Sequence, residues 1–150
     1  MRESSRKFAA FWTPVILWAG AILTLSVIKT PKIEPPEGPV PWDKVWHFCS
    51  YAFLTVLALR ALRSGSVPLS LYTAVPLSFV VASGYGIIIE LIQTLVERDM
   101  ELADAISNIA GAGVASALYV FLSLRKGKGF CAAHDPQSKE NGSERNPENQ

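Results

Sequence analysis

The sequence predicts an all-α fold: a polytopic membrane protein with four transmembrane helices and a disordered C-terminal tail. Three observations carry that reading. Hydrophobic residues make up 49% of the 150-residue chain. The charges avoid whole regions instead of spreading evenly, as they would over a soluble domain. Each uncharged region is also long enough to cross a hydrocarbon layer about 30 Å thick, which takes roughly 20 helical residues.

The first span covers residues 8–28, and no Asp, Glu, Lys or Arg occurs from Phe8 to Ile28. Arg2, Arg6 and Lys7 precede it, as they would a cleaved signal peptide. The run is about twice a usual h-region, however, and no small-x-small site precedes the Pro-rich loop, so an uncleaved anchor is expected. The second span, 45–62, is apolar except for His47 and the exit-end Arg60. The third, 67–96, is uncharged from Val67 to Ile89, and the fourth, 102–124, from Ala105 to Leu124. Residues 1–125 thus form one four-helix domain. Residues 126–150 open with KGKG and continue as a Ser, Asn, Glu, Pro and Gln mixture that cannot bury enough apolar area to order itself, so a disordered tail is expected. There is no internal repeat.

Four spans put both termini on one side. Arg2, Arg6, Lys7, Arg60, Arg63, Arg125, Lys126 and Lys128 fall on that face, against Lys29, Lys32, Lys44 and Arg98 on the other. The excess of basic residues predicts cytoplasmic termini in a multi-pass protein of the cytoplasmic (inner) membrane. Cys49 lies in a span and Cys131 in the tail, so no disulfide between them is expected.

Polar residues interrupt the spans mainly at one leaflet. Glu90 stands roughly 35 Å of helix beyond Val67, at the outer edge, with Gln93 on the same face. Asp104 and Asn108 are one turn apart at the outer start of the fourth span, and His47 is in the first turn of the second. Asp43, His47 and Tyr51 step by four beside Lys44, forming one stripe. Asp104, Asn108, Gly111 and Ala115 form another, whose small inner residues allow a close neighbour; Gly84 and Gly86 offer the third helix a similar patch. The second and fourth helices both start at the outer face, so their N-termini converge where an anion is favoured.

Simpler structural roles compete for each residue. Asp43 and Asp99 fit helix N-caps. The charged stretch Glu97 to Glu101 fits a solvated loop. Tyr51 and Trp12, Trp18, Trp42 and Trp46 fit interfacial anchors. Gly111, Gly113, Ala115 and Ala117 fit packing positions.

DKVWHFCSYAFL, then ELIQ with Arg98 shortly after, then ELADAISNIAGAGVA, together resemble the VanZ-like family of small polytopic membrane proteins over about Trp42 to Tyr119. The resemblance marks Asp43, Lys44, His47, Glu90, Gln93, Arg98, Asp104, Asn108 and Gly111, with Tyr51 also fitting. It implies a link to reduced susceptibility to teicoplanin-type glycopeptides and kinship with membrane enzymes acting on lipid headgroups.

Two functions are therefore expected. In the first, a phosphate-bearing lipid headgroup or cell-envelope precursor is processed at the outer leaflet. His47, Glu90, Asp104 and Asp43 are then the candidate catalytic residues, with His47 as general base or nucleophile. Lys44, Arg98, Gln93, Asn108 and Tyr51 are the candidate substrate-binding residues. No cofactor or metal ligand is assigned, although Asp104 and Glu90 sharing a divalent metal is the alternative chemistry. In the second, the protein is not an enzyme, and the polar cluster binds an envelope lipid or partner or holds the bundle together. The expected partner is a membrane lipid or lipid-linked precursor, not a nucleic acid. Small-residue stripes serve contacts within or between chains alike, so they fix no oligomeric state.

Overall fold

A computed structural model describes residues 2–28, 41–64, 68–95 and 102–132, with side chains at 6, 8–28, 41–64, 68–95 and 102–125. These residues form four α-helices, α1 (Arg2–Val27), α2 (Trp42–Ser64), α3 (Leu71–Leu95) and α4 (Leu102–Ala132). No strand occurs among the described residues. All four helices are long and apolar enough to cross a membrane, over Phe8–Val27, Trp42–Ser64, Leu71–Leu95 and Leu102–Arg125. A multi-pass membrane protein follows from their length and composition.

The distribution of side-chain types fits lipid as the surrounding solvent. Large apolar groups face outward, among them Leu17, Val80, Leu91 and Leu118, whereas much of the interior is small or polar, with Ala58, Ala61, Ala74, Ala82, Ala112, Thr55 and Ser78 beside the larger Tyr51, Leu54, Leu59 and Ile89. In water that surface would be one very large apolar patch. In a bilayer it costs nothing, and small buried residues let the helix backbones approach. The Thr55 hydroxyl donates to the Tyr51 carbonyl at 2.8 Å and the Ser78 hydroxyl to that of Ala74 at 2.8 Å, so each polar group is satisfied within its own helix.

The helix ends differ in detail from the sequence expectation. α2 begins at Trp42, and the Val45 N–H donates to the Pro41 carbonyl at 3.2 Å. Asp43 is therefore inside the first turn and is not the N-cap. On α3 the cap is Ser70, whose hydroxyl accepts from the Thr73 N–H at 3.3 Å. α4 continues to Ala132, beyond the Leu124 expected to end the span. Asp99, the loop Glu97 to Glu101 and residues 133–150 lie outside the described residues.

α2 and α4 run parallel, because Lys44 meets Asp104, His47 meets Asn108 and Phe48 meets Gly111 in order along both. They also form the most extensive helix pair. α3 runs the other way and packs on both. α1 lies at the edge, where only Ile22 among its described side chains is buried.

Candidate functional site

Gly111 sets the spacing of the site. A Cβ at this position would lie 2.2 Å from the Phe48 carbonyl oxygen, so the two backbones touch where any side chain would force them apart. Gly86 does the same on α3, where a Cβ would meet the Tyr51 ring at 3.1 Å and the Asn108 side chain at 3.2 Å. Gly86, Tyr51 and Asn108 therefore share one layer. One turn toward the same end of the bundle stand Glu90 on α3, His47 on α2 and Asp104 on α4. Gly84, expected to share in such packing, meets nothing within 4 Å.

In that layer Lys44 Nζ donates to Asp43 Oδ2 at 3.2 Å and is ion-paired with Asp104 Oδ1. His47 Nδ1–H donates to Asn108 Oδ1 at 3.1 Å, since an amide oxygen can only accept. This fixes the ring orientation and turns Nε2 toward Asp104 Oδ2 at 3.5 Å and Asp43 Oδ1 at 3.9 Å. Asp43 is exposed, while the Lys44, His47 and Asp104 side chains keep between 13% and 23% of their surface.

Glu90 is buried at 1% exposure, and neither carboxylate oxygen has a hydrogen-bond partner among the described residues. It stands within electrostatic reach of Asp104, His47, Lys44 and Asp43. The Tyr51 hydroxyl and the Asn108 amide nitrogen are likewise buried without a partner there. A buried polar group without a partner costs about 1–3 kcal/mol, and three of the residues with such groups, Tyr51, Glu90 and Asn108, stand in or beside this layer.

A cavity of about 480 Å³ opens beside this layer, between α1, α2 and the end of α3. Ile22 and Leu25 form its apolar wall, and Asp43, His47, Tyr51 and Gln93 its polar one. Gln93 Nε2 also donates to the Ser26 carbonyl of α1 at 3.4 Å.

Of the residues expected from sequence, Asp43, Lys44, His47, Asp104 and Asn108 are brought into direct contact, with Glu90 and Tyr51 packed behind them. Gln93 faces α1 across the cavity. Arg98 lies outside the described residues. Tyr51 is a core residue at 1% exposure, not an interfacial anchor. Trp18 is not a simple anchor either: its Nε1–H donates to the Ser50 carbonyl at 3.0 Å and its ring meets Phe53 edge-on, while Trp42 and Trp46 do face outward. The sequence reading missed the contribution of α1, whose only available signal was the indole donor of Trp18 within an otherwise apolar run.

Compared with protein-family models, curated proteins and solved structures, the chain matches none.

Proposed function

We propose that this polar layer takes and processes a phosphate-bearing lipid headgroup or lipid-linked envelope precursor. The observation that carries the reading is the cavity, in which an apolar wall and an acid–histidine wall face each other, as an amphiphile requires. Lys44 and the parallel N-termini of α2 and α4 would receive the phosphate. Asn108 holds the His47 ring so that Nε2 is the atom available to take a proton or attack. Asp43 and Asp104 orient it, and Glu90, Gln93 and Tyr51 supply polar groups around it.

In this reading the site faces outward from a cytoplasmic membrane, both termini are inside, and the VanZ-like resemblance reflects the same use of the motifs. Reduced susceptibility to teicoplanin-type glycopeptides is the phenotype that resemblance suggests. The test is turnover of lipid-linked phosphates and pyrophosphates by the purified protein. His47→Ala and Glu90→Gln should each lower turnover at least about 100-fold without loss of folded protein. Full turnover in both variants would overturn the assignment.

One observation favours a second, non-catalytic reading. Lys44 with Asp104 and His47 with Asn108 tie α2 to α4, and such interhelical contacts are worth about 1 kcal/mol each without any chemistry. If that is their whole role, Asp104→Asn lowers the yield of folded protein and leaves no lipid whose level depends on the intact site.

A further inference from the structure

Two aspartates and a histidine surround a common point at the polar end of the bundle. One ligand atom from each of Asp43, His47 and Asp104 lies within 4.8 Å of the others. Ligands about 2.1 Å from a first-row divalent ion stand ~3.0–3.4 Å apart, so separations of up to 4.8 Å would have to shorten by as much as about 1.4 Å to close the set. The His47 Nε2 to Asp104 Oδ2 separation of 3.5 Å is already at the edge of that range.

Acidic groups at such distances are common without an ion, and the argument for a cation rests on three further features. The first is how the carboxylates divide their oxygens. Lys44 is on Asp43 Oδ2 and Asp104 Oδ1, whereas Asp43 Oδ1 and Asp104 Oδ2 turn to His47. Lys44 therefore engages one oxygen of each carboxylate, leaving Asp43 Oδ1 and Asp104 Oδ2 to the imidazole.

The second is the histidine itself. Metal-bound imidazoles usually donate their other ring N–H to an oxygen, which holds the ligating nitrogen in place. His47 has this arrangement, with Nδ1–H on Asn108 Oδ1 and Nε2 facing the two carboxylate oxygens. A positive centre there, a proton on Nε2 or a cation, would satisfy both carboxylate oxygens.

The third is Glu90. It is 1% exposed, both its oxygens lack a partner among the described residues, and it is in the layer of His47 and Asp104 on the facing helix. A divalent ion would offset carboxylate charge where it is least solvated, at Asp104 and Glu90.

We propose that Asp43, His47 and Asp104, with the buried Glu90 carboxylate behind them on α3, bind one first-row divalent cation. Two carboxylates and one imidazole suit Mn²⁺ or Zn²⁺. With the ion bound, Nε2 is a ligand and no longer a proton acceptor, so the cation changes the role of His47 but does not depend on the headgroup reading.

The experiment is a Mn²⁺ titration of the purified full-length chain in detergent micelles, without added lipid, followed by electron paramagnetic resonance. One saturable Mn²⁺ per chain is expected, with nitrogen modulation in the spin echo that persists when His134, the other of the two histidines, is replaced in His134→Ala. Asp104→Asn and Glu90→Gln should each weaken Mn²⁺ at least about tenfold. The echo measurement needs neither carboxylate variant, so it decides the matter even if both fail to fold. Absence of saturable binding, bound Mn²⁺ without nitrogen coupling, or unchanged affinity in both variants would overturn the site. Lipid turnover, measured separately, reports on the headgroup reading alone.

Discussion

Where α4 meets α2, a Cβ on Gly111 would lie 2.2 Å from the Phe48 carbonyl oxygen, and charged side chains join the same two helices one to two turns further along. Where α1 meets the bundle, only Ile22 among its described side chains is buried, and the joins run from side chain to backbone: Trp18 to Ser50, Tyr85 to Ala19 and Gln93 to Ser26. The first interface is fixed by shape and by charge together. The second is held by those hydrogen bonds together with the Trp18–Phe53 ring contact and the Arg60 guanidinium over the Phe11 ring, and the cavity lies beneath it. The difference puts the closest backbone contact on the α2–α4 side of the polar layer and the cavity on the α1 side.

Substitutions can break this contrast in graded steps. Gly111→Ala should be the most damaging, destabilising the protein by about 3 kcal/mol, because the backbone it would strike cannot rotate away. An unchanged thermal unfolding midpoint in detergent would remove the close α2–α4 contact from the description. Gly86→Ala meets a ring edge and an amide that can give by a few tenths of an ångström, so about 1–2 kcal/mol is expected. Trp18→Phe keeps the ring packing but loses the indole hydrogen bond to Ser50; a loss of about 1 kcal/mol is expected, with α1 becoming more open to protease before the other helices do. Gly84→Ala serves as the control. With nothing within 4 Å, it should be neutral or stabilise the helix by up to about 1 kcal/mol, and a large loss would show that α3 is rotated from the position described here.

The four helices were legible because lipid demands a contiguous apolar run, which needs no tertiary information to recognise. The shared level of His47, Glu90, Asp104 and Asn108 was legible for a related reason: rise per residue converts sequence position into depth. Rotation about each helix axis was much less so. Gly84 and Gly86 are equivalent in the sequence, yet only Gly86 turns toward Tyr51 and Asn108. Tyr51 and Trp18 likewise fitted the interface by residue type, and it is helix packing that puts one in the core and the other against Ser50. The pairing of Asp104 with Glu90 as the metal alternative named two residues of the layer, but the tight group of ligand atoms is Asp43, His47 and Asp104. That distinction depends on side-chain direction, which sequence spacing does not encode across helices.

The convergence of α2 and α4 side chains at one end of the bundle is tested most directly by oxidative cross-linking in native membranes. The pair is His47→Cys with Asn108→Cys, in a chain whose Cys49 and Cys131 are replaced by serine. A rapid intramolecular disulfide, detected after proteolytic cleavage between the two helices, is the expected result. Failure of this pair to cross-link, while pairs from the opposite end of α4 do link to position 47, would contradict the parallel arrangement and with it the site.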